Sequence, residues 1–167
     1  DLSGIKLRTP RGIWRVRLFQ AFGANPTPMP LSEVFVALQT GVMDGQENPL
    51  SQIHASKFQE VQTYLSLTGH VYTPAYVTVG ASWDRLPEDV RATLQRIASE
   101  SQSFVHETAT QMDADFLVEL REAGVEVNQP DRDAFIRAST EIFEEFGSTV
   151  EGGEAMVADA LSLVDGA

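Results

Sequence analysis

Apolar positions alternate with charged ones at the start of the chain and then change period. Ile5 and Leu7 alternate with Lys6 and Arg8, which predicts a short strand stopped by Pro10. Trp14, Val16, Leu18, Phe19 and Phe22 predict a helix ended by Gly23. Pro26, Pro28 and Pro30 exclude a helix interior and leave a loop or a short edge strand. Ser32 is expected to cap a helix in which Val34, Phe35, Leu38 and Val42 recur at helical spacing, with Gly45 closing it. Phe58, Val61, Tyr64 and Leu65 predict a short helix running into a strand near residues 64–67, and the Tyr- and Val-rich run 71–79 a further strand.

Pro87 marks the start of a very long helical pattern, which Val90, Leu94, Ile97, Phe104, Val105, Met112, Phe116 and Leu120 sustain until Gly124. An unbroken helix of about 37 residues would be roughly 55 Å long. A compact chain of this length should be only about 40 Å across, so the rod is expected to cross between two bodies. A strand at 125–127 and two amphipathic helices follow, one containing Phe135, Ile142, Phe143 and Phe146, the other Met156, Val157, Leu161 and Val164. Strands alternating with helices give an α/β fold class.

Composition narrows the partners. With 167 residues, 43% apolar and 22% charged, the chain can bury a core of its own. A net charge of -12 argues against nucleic acid and against anionic lipid. No apolar run approaches the roughly 18–20 residues of a membrane span. The absence of cysteine removes disulfides, thiolate nucleophiles and zinc–thiolate sites together. The chain opens at Asp1 without a signal-peptide core, so a removed leader or a piece of a longer protein is expected. Five of the 12 basic residues, Lys6, Arg8, Arg11, Arg15 and Arg17, fall in the first 17 positions, which is either a solvated basic stretch or a focus for an anion.

Catalytic chemistry finds no footing in this pattern. His54 and His106 have no second ligand at a metal-binding spacing, and a structural or exposed role is the ordinary reading for both. His70 opens the strand expected at 71–79, where a satisfied core histidine is again the ordinary reading. No nucleophile elbow, P-loop or dinucleotide fingerprint occurs, and the segment from Met43 to Glu47 is too short for a calcium loop. Arg8 stands out by position, because ligands of open α/β sheets bind beyond the carboxyl ends of strands. Its guanidinium is a rigid fork that matches a carboxylate. Asn48, held extended by Pro49, is either a turn cap or a donor to a ligand oxygen.

Five motifs in register, Ile5–Pro10, Gly23–Pro30, Ser32–Val34, Ala37–Pro49 and Lys57–Gln62, resemble the extracytoplasmic solute receptors of TRAP (tripartite ATP-independent periplasmic) transporters, of the C4-dicarboxylate-binding kind. The likeness is dense over residues 4–80 and continues as the same order of elements, long helix included. It implies a periplasmic-binding-protein-like fold whose two α/β lobes close on an organic acid. It implies that Arg8 clamps the carboxylate and Asn48 contacts it. Leu31 falls where the family usually has a pocket phenylalanine, and Arg11 in a stretch that varies with the ligand.

The resemblance further implies that residues 1–73 and 114–167 form the second lobe, that 74–113 contributes to the first, and that the first lobe is largely missing. Phe104, Val105 and residues 77–79 would then lie bare, and self-association or loss of order is expected between 74 and 113. The implied protein is a periplasmic receptor that delivers a small organic acid to TRAP permease subunits in the membrane, with no enzymatic activity, cofactor or metal. The alternatives are a small α/β enzyme using Arg8 to hold an anionic substrate, and a free-standing interaction domain.

Overall fold

The structure is a computed structural model and describes residues 2–165. Its centre is a parallel three-stranded sheet in the order β2-β1-β3, formed by β1 (Lys6–Thr9), β2 (Asn25–Pro28) and β3 (Gly45–Gln46). Helix α1 (Ile13–Ala21) connects β1 to β2, and α2 (Leu31–Gln39) connects β2 to β3. Then come α3 (Leu50–Ala55), a 3₁₀ turn at Phe58–Glu60 and β4 (Tyr64–Ser66). Helices α4 (Glu88–Glu100) and α5 (Gln102–Glu122) lead to β5 (Glu126–Asn128), which pairs with β4 in a second parallel ladder. Helices α6 (Arg132–Thr149) and α7 (Gly153–Asp165) end the chain.

The prolines of β2 show how sequence sets sheet position. Asn25 N–H donates to the Ile5 carbonyl and Met29 N–H to the Thr9 carbonyl, so odd-numbered residues face β1. Pro26 and Pro28 occupy the alternate positions, where an N–H would point out of the sheet and is not missed. They also close that edge to further pairing.

Two apolar clusters hold the helices to the sheet. Leu7, Phe19, Phe22 and Ala24 join β1 to α1, with Phe135 of α6 packed edge-on to Phe22 at 4.8 Å. Val34, Leu38, Met43, Ile53, Phe58 and Leu120 form the other, between α2, α3 and α5. Helix α1 ends in a Schellman motif, with Ala24 N–H on the Phe19 carbonyl and Gly23 N–H on the Gln20 carbonyl. Gly23 takes φ 92° there, which a side chain would strain. Trp14 meets Phe146 edge-on at 5.1 Å and joins α1 to α6.

Four expectations are corrected. Ser32 does not cap α2: the helix begins at Leu31 because the Pro30 carbonyl, held at an extended ψ of 143°, accepts Glu33 N–H and closes the first turn. Nor does α2 run to Gly45. It stops at Gln39, Gly41 turns the chain at φ 73°, and Val42 is left 56% exposed while Met43 enters the core. Residues 71–79 are not a strand but irregular and exposed, since neither described sheet offers them a partner. The long helix is interrupted at Ser101, which ends α4 and precedes α5, although its N–H still reaches the Ile97 carbonyl at 2.9 Å. Neither α3 nor β3 was expected.

Thr9 is fully buried beside Arg8, and its hydroxyl has no hydrogen-bond partner among the described residues. Thr9→Val is therefore expected to leave stability in urea unchanged, or to raise it by up to about 1 kcal/mol, since an unpaired buried hydroxyl costs more than a methyl. A loss of more than about 1 kcal/mol would mean the hydroxyl has a partner in solution.

Candidate functional site

Strand register brings the candidate residues together. Arg8 pairs in the ladder with Gln46, so the two stand side by side at the carboxyl ends of β1 and β3. Asn48 lies two residues further on, and its Nδ2 donates to Gln46 Oε1 at 2.5 Å. Gln46 Nε2 in turn donates to Gln62 Oε1 at 3.0 Å, which ties the loop after β3 to the approach of β4.

Arg8 is 4% exposed. Its Nε donates to the Met29 carbonyl at 2.8 Å, and its two terminal nitrogens donate to no protein acceptor among the described residues. Burial pushes the guanidinium pKa below its ordinary value; the negative charge of Glu47 opposes that shift and the positive charge of Arg15 adds to it. Arg8, Glu47 and Arg15 are thus electrostatic neighbours.

Glu47 is 7% exposed, and both of its oxygens are engaged. Oε1 accepts from Arg15 Nη1 at 2.5 Å and Oε2 from His70 Nε2 at 3.1 Å. Because a carboxylate only accepts, His70 Nε2 carries the proton, and in the neutral ring Nδ1 accepts from the Thr68 hydroxyl at 2.6 Å. Phe19 sets its edge against the His70 ring at 5.0 Å. His70 is thus the satisfied, largely buried histidine of the ordinary reading. At the other end of β1, Lys6 N–H and, more weakly, its ammonium hold the Asp44 carboxyl below the usual carboxylate range.

The other candidates lie apart from this cluster. Leu31 opens α2 two residues beyond Met29 and is 36% exposed. Arg11 is exposed and forms no ion pair among the described residues. A groove of about 1800 Å³ runs past Arg15, Glu47, Asn48 and His70 toward Tyr76, Leu94 and Val105, but Arg8, Leu31 and Arg11 do not line it. The groove thus joins the Glu47 cluster to an apolar face. His54 pairs with Glu119 and stacks on Phe116, joining α3 to α5. Among the described residues no group of His, Asp or Glu could hold a metal, and no helix is long and apolar enough to cross a membrane.

A free guanidinium fork at a strand end, beside two amides and a fully paired carboxylate, suits holding an anion. A profile of the bacterial extracellular solute-binding proteins, family 7, matches residues 1–149. The chain belongs to this family of TRAP solute-binding proteins. It is 36% identical to the 2,3-diketo-L-gulonate-binding periplasmic protein of Escherichia coli K12, over 99% of this chain and 50% of that one. A TRAP periplasmic solute-binding protein from Polaromonas sp. JS666, solved with D-erythronate, superposes with a TM-score of 0.85 at 34% identity, over 95% of this chain and 52% of the other. Another from Roseobacter denitrificans, solved with L-galactonate, gives 0.80 at 34% identity, over 96% and 53%. The chain spans about half the length of the relatives it matches. These TRAP receptors are binding proteins rather than enzymes, and all three are named periplasmic.

Sequence reading overlooked Glu47, Arg15, Gln46 and Gln62 as members of the cluster. One signal was available for Glu47: an acid at a strand end, between Met43 and Leu50, needs a partner if buried. Which of Arg11, Arg15 and Arg17 supplies it depends on how α1 is rotated against the sheet, which only packing decides.

Proposed function

We propose that this chain carries the carboxylate-binding face of a periplasmic TRAP receptor that delivers a small hydroxylated organic acid to its membrane permease. Arg8 clamps the carboxylate through its two free terminal nitrogens, and Asn48 donates a further hydrogen bond. Leu31, which follows β2, and Arg11, which follows β1, tune which acid is held. The observation that carries this reading is the enclosed Arg8 side chain, of which only Nε is paired among the described residues. The ligands named for the relatives, a diketogulonate, an erythronate and a galactonate, support a sugar acid with one carboxylate.

On the same reading residues 1–73 and 114–167 belong to one lobe, while 74–113 serves a second. The bare Tyr72, Tyr76, Val77 and Val79 of the irregular segment, with Phe104 and Val105 of α5, support that division. Left uncovered, that surface would join copies of the chain to one another.

Adding D-erythronate or L-galactonate to the full-length protein is expected to raise its melting temperature without consuming the acid. At a hundredfold excess over Kd the gain should be about 2.7 kcal/mol. Conversion of the acid, followed by NMR, would instead establish an enzyme.

A further inference from the structure

We propose that Arg15 is a positioning residue: by pairing with Glu47 it keeps that buried carboxylate from competing for Arg8, and so leaves the Arg8 fork open to the solute. The inference rests on the reading of Arg8 as the clamp and adds a condition for it to work.

The geometry is specific to one arginine. Arg15 and Phe19 lie one turn apart on α1 and face the same way, Arg15 toward Glu47 and Phe19 toward His70. Arg17 points elsewhere, pairing with Glu145 of α6, and Arg11 stays exposed. Arg15 Nη1 holds one Glu47 oxygen, its Nη2 reaches the Thr73 hydroxyl at 3.4 Å, and His70 holds the other oxygen. Of the remaining charges on these walls, Lys6 is paired with Asp44, and Arg132 of α6 packs against Gly69.

Charge counting gives the consequence. Arg8 and Arg15 together carry two positive charges against one on Glu47, leaving one for a solute carboxylate. Without Arg15 the balance is zero, and Glu47, whose charge Arg8 already feels from the residue after its ladder partner Gln46, is left as a rival to the solute carboxylate. A solute would then have to displace a carboxylate that is already in place, in surroundings where charges are weakly screened. Arg15 thus raises affinity for a mono-acid without touching it.

The test is titration calorimetry of L-galactonate and D-erythronate on the full-length receptor. Arg15→Gln is expected to weaken binding about 10- to 100-fold, the range of one lost charge-assisted contact. Arg15→Lys should recover most of the loss, because the charge returns even though the fork does not. Adding Glu47→Gln to Arg15→Gln should restore binding to within about threefold of Glu47→Gln alone, since the rival charge is gone. A purely structural role predicts no such rescue. The proposal is overturned if Arg15→Gln binds within threefold of wild type, or if the double variant stays as weak as the single one. Should Arg15→Gln fail to fold, Arg15→Met tested with and without Glu47→Gln applies the same criterion. Unchanged binding in Arg8→Ala, or a wild type that takes neither acid, would instead overturn the clamp reading itself.

Discussion

Arg8→Ala is expected to weaken solute binding by about 2–5 kcal/mol, a factor of roughly 30 to several thousand. The size follows from burial: Arg8 is almost wholly enclosed, so the contact forms away from water, where a bidentate charge pair is strongest. Arg8→Lys should recover little, because an ammonium is a point charge that cannot span two oxygens from the Met29 side of the strand end. Asn48→Ala should cost less, about 1–2 kcal/mol, since its amide is neutral and already bonded to Gln46. Titration calorimetry on the full-length receptor checks this ordering. Folding should not suffer in step. Removing an arginine whose charge is disfavoured by burial relieves that penalty while losing one bond to a carbonyl. Binding within threefold of wild type would place the clamp elsewhere.

How far this was legible differs between elements. Strand β1 and helix α1 announce themselves through a clean change of period from two to 3.6, and the prolines of β2 leave a loop or an edge strand, of which the structure has the strand. Strand β3 and helix α3 are too short to show a period, and they exist because β1 and α5 offer them partners. Residues 71–79 fail in the opposite sense: their composition suits a strand, but a strand needs a neighbour, and none stands beside them in the described residues. The interruption at Ser101 leaves no mark in the apolar spacing, which continues through it. For the site, Arg8 at a strand end and Asn48 held extended before Pro49 could be read from the chain, with the family likeness indicating their roles, whereas β3, which brings Asn48 beside Arg8, could not. The Arg15–Glu47–His70 cluster could not, because it joins residues 23 to 55 positions apart.

Phe58→Ala is expected to remove about 3–5 kcal/mol of folding stability, a large part of the 5–15 kcal/mol typical of a domain. Phe58 is 1% exposed and sits where α2, α3, α5 and β5 converge, so its loss opens a cavity with no surface loop free to collapse into it. Phe58→Leu should cost clearly less, as most of the volume is kept. Phe104 gives the internal contrast, being the same residue type at 69% exposure on α5. In this 167-residue chain Phe104→Ala should stay within about 0.5 kcal/mol of wild type. Urea denaturation of the three variants separates them. A drop of several kcal/mol for Phe58→Ala beside no change for Phe104→Ala places the core under α3, the helix that Asn48 and Pro49 lead into. Equal losses would mean that Phe104 is covered in solution, by another copy of the chain, and the dependence of its stability on protein concentration would then reveal that association.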